Sequence, residues 1–197
     1  MAAGPRTRLD PAARRAQLVA LGLEMLRTRP LDEVMVEEIA GQAGISRGLL
    51  FHYFATKRDF HVAVVQAAAD ELLARTEPPP GLEVVDQLRA GTAAFLDYVA
   101  ENRDTYAGLV RGAAGGDPAL QAVFDATRTR LADRVLDRLG APPPVPPRVR
   151  LAVRGWIALS EEVAIDWITT GDLSRDAVLE FLDHALVRLV MTAVRQG

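Results

Sequence analysis

The chain has 197 residues, enough for one large or two small domains with an adequate apolar core. It has no cysteine, which excludes disulfides and thiolate chemistry. No uncharged apolar run reaches the length of about 18 residues that a membrane-spanning helix needs. The first residues also lack the apolar segment of a signal peptide, so we expect a cytoplasmic protein with no membrane partner.

The net charge of −3 is divided unevenly along the chain. Residues 1–60 carry nine basic and seven acidic side chains, a net charge of +2. Residues 61–197 carry fourteen basic and nineteen acidic side chains, a net charge of −5. The N-terminal end is therefore the one expected to meet a polyanion such as nucleic acid.

The first segment, residues 1–9, predicts a flexible arm. Its Arg6 and Arg8 either reach DNA, as basic arms do, or are simply solvated. Asp10 followed by Pro11 predicts the start of the first helix. The Asp side chain caps the helix, and a proline at the first helical position loses no hydrogen bond.

Two short helices separated by a tight turn are predicted next. Apolar residues at helical spacing between 34 and 43 line one side of the first of them. Gly44 stands where a helix stops in the left-handed conformation, and Ser46 is placed to cap the following helix. This order predicts a helix-turn-helix motif.

The second short helix is predicted to have two different faces. Leu49, Leu50 and Phe54 are expected to pack it against the first. The other face carries hydrogen-bond donors, aromatic rings and a glycine, whereas a solvated face normally carries Glu and Lys. This composition is typical of a helix that enters a DNA major groove. The residues of this outward face are Arg47, Gly48, Phe51, His52 and Tyr53.

Four elements together resemble the signature of TetR-type transcriptional regulators. They are the run from Ile39 to Gly44, the triplet Ser46–Gly48, the segment Phe51–Phe54, and Lys57. The resemblance is close over about residues 10 to 62. It implies that Lys57, the only lysine of the chain, contacts a DNA phosphate. Because a helical hairpin that merely packs could share part of this pattern, the DNA-binding function remains an interpretation here.

Each candidate contact residue has an expected role in DNA binding. Arg47 is expected to read a base edge, most plausibly guanine, and Gly48 to allow close approach of the backbone. Phe51 is expected to pack on a thymine methyl group or a sugar. The remaining contacts are expected to grip phosphates, and they are Ser46, His52, Tyr53 and Lys57.

One departure from the family pattern lies at Met35. The family usually has Ser or Thr there, capping the first short helix. Met35 removes one possible phosphate hydrogen bond and leaves Glu37 and Glu38 to satisfy the helix dipole. We also expect two carboxylates so close to DNA to lower the affinity of the protein for DNA.

The expected fold class is all-α, because no strand-like alternation occurs. We predict a helix-turn-helix DNA-binding domain at 10–56 and a connecting helix at 57–76. The Pro-rich break at 77–81 then leads into a C-terminal ligand-binding and dimerisation domain at 82–197. Five helices are predicted in that domain, at 82–101, 103–113, 117–139, 147–170 and 174–195.

The last two helices have apolar faces wider than one small core needs. This surplus favours a four-helix dimer interface, although a fully buried intramolecular pair is the alternative. The predicted interface residues are Val153, Ile157, Ala164, Ile168, Phe181, Ala185, Leu186 and Leu189.

The resemblance also implies a ligand cavity in the C-terminal domain. Its aromatic side chains suit a small, largely apolar molecule, although aromatic residues at helical spacing more often form a core than line a pocket. The candidate lining residues are Phe95, Tyr98, Tyr106, Phe124, Trp156 and Trp167.

No pattern indicates catalysis, a metal site or a cofactor, so we do not expect an enzyme. The carboxylate pair Glu161–Glu162 is the nearest candidate. We expect Glu161 to form an ion pair with Arg154 or an interface contact instead of doing acid–base chemistry.

The sequence predicts a homodimeric regulator that binds a palindromic operator in double-stranded DNA, as a repressor released by a small-molecule effector. Two alternatives remain. One is an activator or a ligand-independent regulator. The other is a small-molecule-binding module whose helix-turn-helix no longer binds DNA.

Overall fold

A computed structural model describes residues 10–113, 116–141 and 143–195. These residues form α-helices and one short 3-10 helix, Leu31–Glu33, without any strand, which confirms the predicted all-α fold class. The α-helices are α1 (Pro11–Leu26), α2 (Val36–Gln42), α3 (Arg47–Tyr53), α4 (Lys57–Arg75), α5 (Val84–Glu101), α6 (Arg103–Ala113), α7 (Pro118–Arg138), α8 (Pro147–Thr170) and α9 (Arg175–Arg195). The predicted arm, with Arg6 and Arg8, lies outside the described residues.

The chain divides into two compact units within α4. Ala68 is the last residue of the first unit and Ala69 the first residue of the second. The Pro-rich break at 77–81 separates α4 from α5. The five helices that follow begin and end within two residues of their predicted bounds.

The beginning of α1 confirms the predicted cap. The backbone of Asp10 is extended, and its Oδ1 accepts a hydrogen bond from the Ala13 N–H at 2.8 Å. The helix ends at Leu26, four residues before Pro30, which precedes the 3-10 helix. The first unit is held together by buried apolar side chains, which include Leu18, Leu26, Val34, Val36, Ile39, Leu50, Phe54, Phe60 and Val64.

Close packing between α1 and α4 depends on Gly22. A Cβ atom added there would lie 2.5 Å from Cγ2 of Val64 and 2.8 Å from Cζ of Phe60, both fully buried. Gly22→Ala should therefore lower the free energy of unfolding, by about 1–3 kcal/mol. Urea denaturation at a fixed protein concentration measures the change.

Gly41 provides the matched control for this substitution. It also lies inside a helix, but a Cβ atom added there meets nothing within 4 Å. Gly41→Ala should raise the free energy of unfolding by about 0.5–1 kcal/mol, because alanine loses less backbone entropy on folding. If both substitutions stabilised the protein equally, the close packing at Gly22 would be disproved.

The second unit contains two apolar clusters, and α8 and α9 contribute to both. The first cluster is made of Leu72, Leu96, Tyr98, Val99, Tyr106, Ala107, Ala164, Ile168, Val178, Leu179 and Leu182. The second is made of Ala132, Val135, Leu136, Val149, Val153, Trp156, Ile157 and Leu186. Between α8 and α9, Gly171 ends α8 in the left-handed conformation with a φ of 70°, which favours glycine.

Arginine side chains tie helices of the second unit together. Arg175 binds the Asp97 carboxylate through Nε at 2.5 Å and Nη2 at 2.8 Å, joining the start of α9 to α5. Arg134 donates to the Leu73 carbonyl at 2.9 Å and to Oγ1 of Thr76 at 3.1 Å. Arg134 of α7 thus donates to one carbonyl in the last turn of α4, where carbonyl groups lack a backbone partner further along the helix.

Candidate nucleic-acid interface

The turn between α2 and α3 has the geometry predicted for it. Gly44 adopts a φ of 64°, and its N–H bonds the Gly41 carbonyl at 3.1 Å. The N–H of Ile45 reaches back to the Ala40 carbonyl at 2.9 Å. These two bonds form the Schellman motif, which ends α2 and turns the chain towards α3.

Ser46 begins α3 as its N-cap. Its Oγ accepts a hydrogen bond from the Leu49 N–H at 3.2 Å. Leu50 and Phe54 are buried, one helical turn apart, and they fix the inner face of α3. Leu49 is exposed, so the prediction that it packs inward was wrong. It neighbours Leu50 in the chain, and successive residues of a helix point in directions about 100° apart.

The outer face of α3 matches the predicted set of DNA contacts in its exposure. Arg47, Gly48 and His52 are exposed, and Phe51 and Tyr53 are half-buried. The rings of His52 and Tyr53 meet edge to face, with their centres 5.6 Å apart. Leu49 adds an exposed apolar side chain to this face, able to contact a thymine methyl group. The sequence predicted that Leu49 packs inward because it is apolar and several of its neighbours on α3 are hydrogen-bond donors.

Lys57, at the start of α4, extends over the beginning of α2. Its Nζ donates to the Asp32 carbonyl at 3.3 Å and lies 3.9 Å from the Met35 sulfur atom. The side chain is half-buried, so part of its stem packs while the ammonium group stays near the surface. Its predicted role in phosphate binding stays a prediction.

Met35 is the N-cap of α2, with extended backbone angles of −91° and 125°, and its side chain makes no capping hydrogen bond. A threonine hydroxyl there could accept from the N–H groups of the first turn. Met35→Thr is expected to raise the free energy of unfolding by about 0.5–2 kcal/mol relative to Met35→Ala. Urea denaturation of the two variants measures the difference. Equal free energies of unfolding would show that a threonine at position 35 does not cap α2.

His61 of α4 supports the segment that leads into α2. Its Nε2–H donates to the Val34 carbonyl at 2.9 Å. Burial lowers the pKa of His61 below its ordinary value of 6.5, although the bond to the Val34 carbonyl opposes this shift. The imidazole of His61 therefore takes up its second proton, the one that makes it positively charged, less readily in the folded protein than in the unfolded chain.

A pH dependence of stability follows from His61. Its contribution to the free energy of unfolding is complete above the unfolded pKa and is lost as the pH falls through 6.5 towards the lower folded pKa. His61→Gln keeps an N–H donor and removes the titration. We expect the variant to lose less stability than the wild type between about pH 8 and about pH 5, as measured by urea denaturation. Equal losses would contradict this role.

Five of the six aromatic residues predicted to line a ligand cavity belong to or pack against the apolar clusters of the second unit, and Phe124 is the exception. Phe95 and Tyr106 meet edge to face with ring centres 6.0 Å apart, and the guanidinium carbon of Arg75 lies 5.5 Å from the centre of the Tyr98 ring. Burial, with a smaller contribution from the Glu161 carboxylate, raises the pKa of Tyr106 well above its ordinary range.

The two tryptophans form hydrogen bonds with the backbone. Trp156 donates to the Leu182 carbonyl at 2.9 Å, and Trp167 donates to the Leu173 carbonyl at 3.0 Å. Trp156 belongs to the second cluster and Trp167 packs against the first, whereas Phe124 is half-buried on α7. The Trp156 indole therefore joins α8 to α9 through its N–H group, whereas the Trp167 indole ties α8 to the loop that follows it.

The half-buried carboxylate of Glu161 has a different partner from the one predicted. Arg128 of α7 pairs with it, with both Nε and Nη2 2.8 Å from Oε2. Burial raises the pKa of Glu161, and Arg128 opposes that shift. Arg154, the predicted partner, is exposed. Seven residues along one helix span about 10 Å, which only two extended side chains could bridge, whereas Arg128 approaches Glu161 from a neighbouring helix.

The predicted dimer residues fall into two groups. Phe181 and Leu189 are exposed, and Ala185 is half-buried. The other five are buried within the protomer, where they fill its own core, and they are Val153, Ile157, Ala164, Ile168 and Leu186. Further exposed apolar side chains on α8 and α9 are Leu151, Val187, Met191 and Val194.

Two features are absent from the described residues. No helix there is long and apolar enough to cross a membrane. No group of three or more His, Asp or Glu side chains in that part of the chain is arranged to hold a metal ion.

The capped turn and the exposed face of α3 define a helix-turn-helix protein. A family model described as "Bacterial regulatory proteins, tetR family" matches residues 18–64. A second, described as "Tetracyclin repressor-like, C-terminal domain", matches residues 84–189. The chain therefore belongs to the TetR family of transcriptional regulators, as the sequence resemblance implied.

Individual relatives agree with this assignment. A tetR-family transcriptional regulator from Streptomyces coelicolor is 31% identical, with a TM-score of 0.83 over 96% of this chain and 85% of that one. The HTH-type transcriptional activator FasR of Mycolicibacterium smegmatis is 25% identical over 177 residues, 88% of this chain and 81% of that protein. The HTH-type transcriptional repressor KstR2 of the same species is 37% identical over 71 residues, 36% of this chain and 35% of that protein.

Proposed function

We propose that this protein is a homodimeric repressor that binds a palindromic operator and is released from it by a small, largely apolar ligand. The observation that carries the DNA-reading part is the outer face of α3. It exposes Arg47, Gly48 and His52 beside a turn fixed by Gly44 and Ser46. A short helix presented in this way can enter a major groove with its first residues at the base edges.

The individual contacts follow from the chemistry of this face. Arg47 reads a base edge, for which guanine offers two acceptors, and Gly48 permits close approach of the backbone. Phe51 and the exposed Leu49 pack on thymine methyl groups or sugars. Phosphate contacts set the register of the helix, and they come from Ser46, His52, Tyr53 and Lys57.

Dimerisation is proposed through the exposed apolar side chains of α8 and α9. Phe181 and Leu189 are the predicted interface residues that remain accessible in the protomer. A two-fold axis between two such helix pairs matches the symmetry of a palindromic operator. Ligand release is proposed through the aromatic residues of the second unit. A ligand shifts the protein to a state unable to bind the operator only if it binds that state more tightly.

The direction of regulation has a competing candidate. The relative FasR is named an activator, whereas KstR2 is named a repressor. FasR matches most of this chain and KstR2 only about a third of it, so an activator is the second proposed function. A protein whose helix-turn-helix no longer binds DNA is the third. The observation in its favour is that Met35 gives α2 no side-chain cap and is followed by Glu37 and Glu38 in the first turn.

Selection of random duplex DNA on the purified protein at near-physiological salt tests the proposal. Two inverted half-sites among the recovered sequences would support dimeric, sequence-specific binding. The affinity for such a duplex should fall steeply as the salt concentration rises, because phosphate contacts release counterions. Recovery of no preferred sequence would favour the DNA-silent module. Transcription from a promoter carrying the recovered site then separates repression from activation.

A further inference from the structure

The guanidinium group of Arg47 is held on two sides. Its Nη1 lies 3.0 Å from Oε1 of Glu37, which stands in the first turn of α2. Its Cζ lies 5.4 Å from the centre of the Phe51 ring, one turn further along α3. The side chains of Arg47 and Glu37 are 64% and 47% exposed, so the pair joins the two helices at the surface.

This arrangement leaves Arg47 able to read a base. A guanidinium group carries five N–H donors in one rigid plane, and its Nη1 faces the Glu37 carboxylate. Two parallel N–H bonds to guanine require that plane to have one particular orientation. An arginine side chain that moves freely in the unbound protein loses rotamer entropy when it binds a base. Contacts that already restrict the side chain before DNA binds make this entropy loss smaller.

We infer that Glu37 is a positioning residue for DNA recognition, which orients Arg47 towards one base pair of each half-site. The inference rests on the proposed base-reading role of Arg47. An ion pair this exposed contributes little to the free energy of unfolding. We therefore expect the loss of Glu37 to change sequence discrimination more than stability. Its negative charge also repels DNA phosphates, and its removal therefore raises the affinity for all sequences.

Glu38 supplies a matched control. It is the next residue of α2, and it pairs with Arg29, which precedes α2, at 2.9 Å. The side chain of Glu38 is 42% exposed, close to the 47% of Glu37, and its partner Arg29 is 35% exposed. Glu38→Gln and Glu37→Gln remove the same charge from the same helical turn. Only Glu37→Gln releases a side chain of α3.

The experiment measures discrimination at single base pairs of the duplex that the wild type selects. The base pair at which Arg47→Ala loses preference is the one that Arg47 reads, and the wild type should prefer it by about 5- to 150-fold. Glu37→Gln should reduce that preference by up to about five-fold and leave the preferences at other positions unchanged. Glu38→Gln should change none of them, although both variants should bind unrelated duplexes more tightly.

Three further measurements fix the interpretation. Equal thermal melting of the two glutamine variants excludes a folding defect. The double variant Glu37→Gln, Arg47→Ala should discriminate no differently from Arg47→Ala alone, because Glu37 acts through Arg47. Equal discrimination by the two glutamine variants, or better discrimination by Glu37→Gln, would overturn the positioning role. Absence of any sequence preference in the wild type would instead overturn the proposed function itself.

Discussion

Phe181→Glu is expected to convert the proposed dimer into a monomer and to lower operator affinity by at least about 100-fold. Phe181 lies on α9 and is 51% exposed in the protomer, although its side chain is large and apolar. Leu189 is a second exposed apolar side chain on α9, about two turns further along and within about 80° of Phe181 around the helix. A charge placed in the middle of a packed interface must lose its hydration without gaining a partner, which opposes association.

The loss of DNA affinity follows from the loss of the second half-site. When two linked recognition helices bind one operator, the second contact is intramolecular and raises the overall affinity by about 10²- to 10⁴-fold. A monomer keeps the first contact alone. Sedimentation velocity measures the oligomeric state, and titration of a fluorescent operator duplex measures the affinity. Both should change together.

Val85→Glu is the matched control for this substitution. Val85 is the more exposed of the two residues, at 72%, and it lies near the start of α5, outside α8 and α9. The same negative charge there should leave the dimer and its operator affinity unchanged. If the two variants behaved alike, the dimer surface would lie elsewhere or the charge would act through long-range repulsion of DNA. An intact Phe181→Glu dimer would disprove the proposed interface.

The parts of the fold that the sequence predicted well are controlled by local chemistry. Asp10 caps α1, Gly44 ends α2 in the left-handed conformation, and Ser46 caps α3. Each depends on a residue and its neighbours within about four positions, so the sequence carries the whole signal. Breaks rich in proline and glycine fix the helix bounds of the second unit for the same reason.

The contacts that the sequence did not predict depend on which helices pack against each other in the folded protein. Periodicity shows that α8 is apolar on more than one side, but it does not distinguish the protomer's own core from a partner. Val153 and Ile157 were therefore predicted at the interface although they are buried in the core. Likewise, Glu161 pairs with Arg128 from another helix, 33 positions away, which spacing along one helix could not reveal.

Gly48→Ala is expected to stabilise the protein and to weaken operator binding, two effects of opposite sign. Gly48 is the second residue of α3, and the nearest atom to an added Cβ would be Oγ of Ser46 at 3.9 Å, an ordinary contact. The free protein therefore accepts alanine without strain. The free energy of unfolding should rise by about 0.5–1 kcal/mol, because alanine restricts the unfolded chain.

Binding to DNA should respond in the other direction. Gly48 is exposed between Arg47 and Leu49 on the proposed reading face, where we expect the backbone of α3 to come nearest to the groove. An added methyl group would push the helix outwards and lengthen the hydrogen bonds of Arg47. Overpacking of a close contact costs about 1–3 kcal/mol, so operator affinity should fall by about 5- to 150-fold.

Gly41→Ala separates the two effects. It adds the same methyl group at an exposed position of α2 that has equally free space, and should stabilise the protein without changing operator affinity. Urea denaturation and operator titration of both variants then distinguish a general effect of helix stability from a contact at the groove. If Gly48→Ala bound the operator as tightly as Gly41→Ala did, α3 would not approach DNA through Gly48, and the orientation proposed for the recognition helix would be wrong.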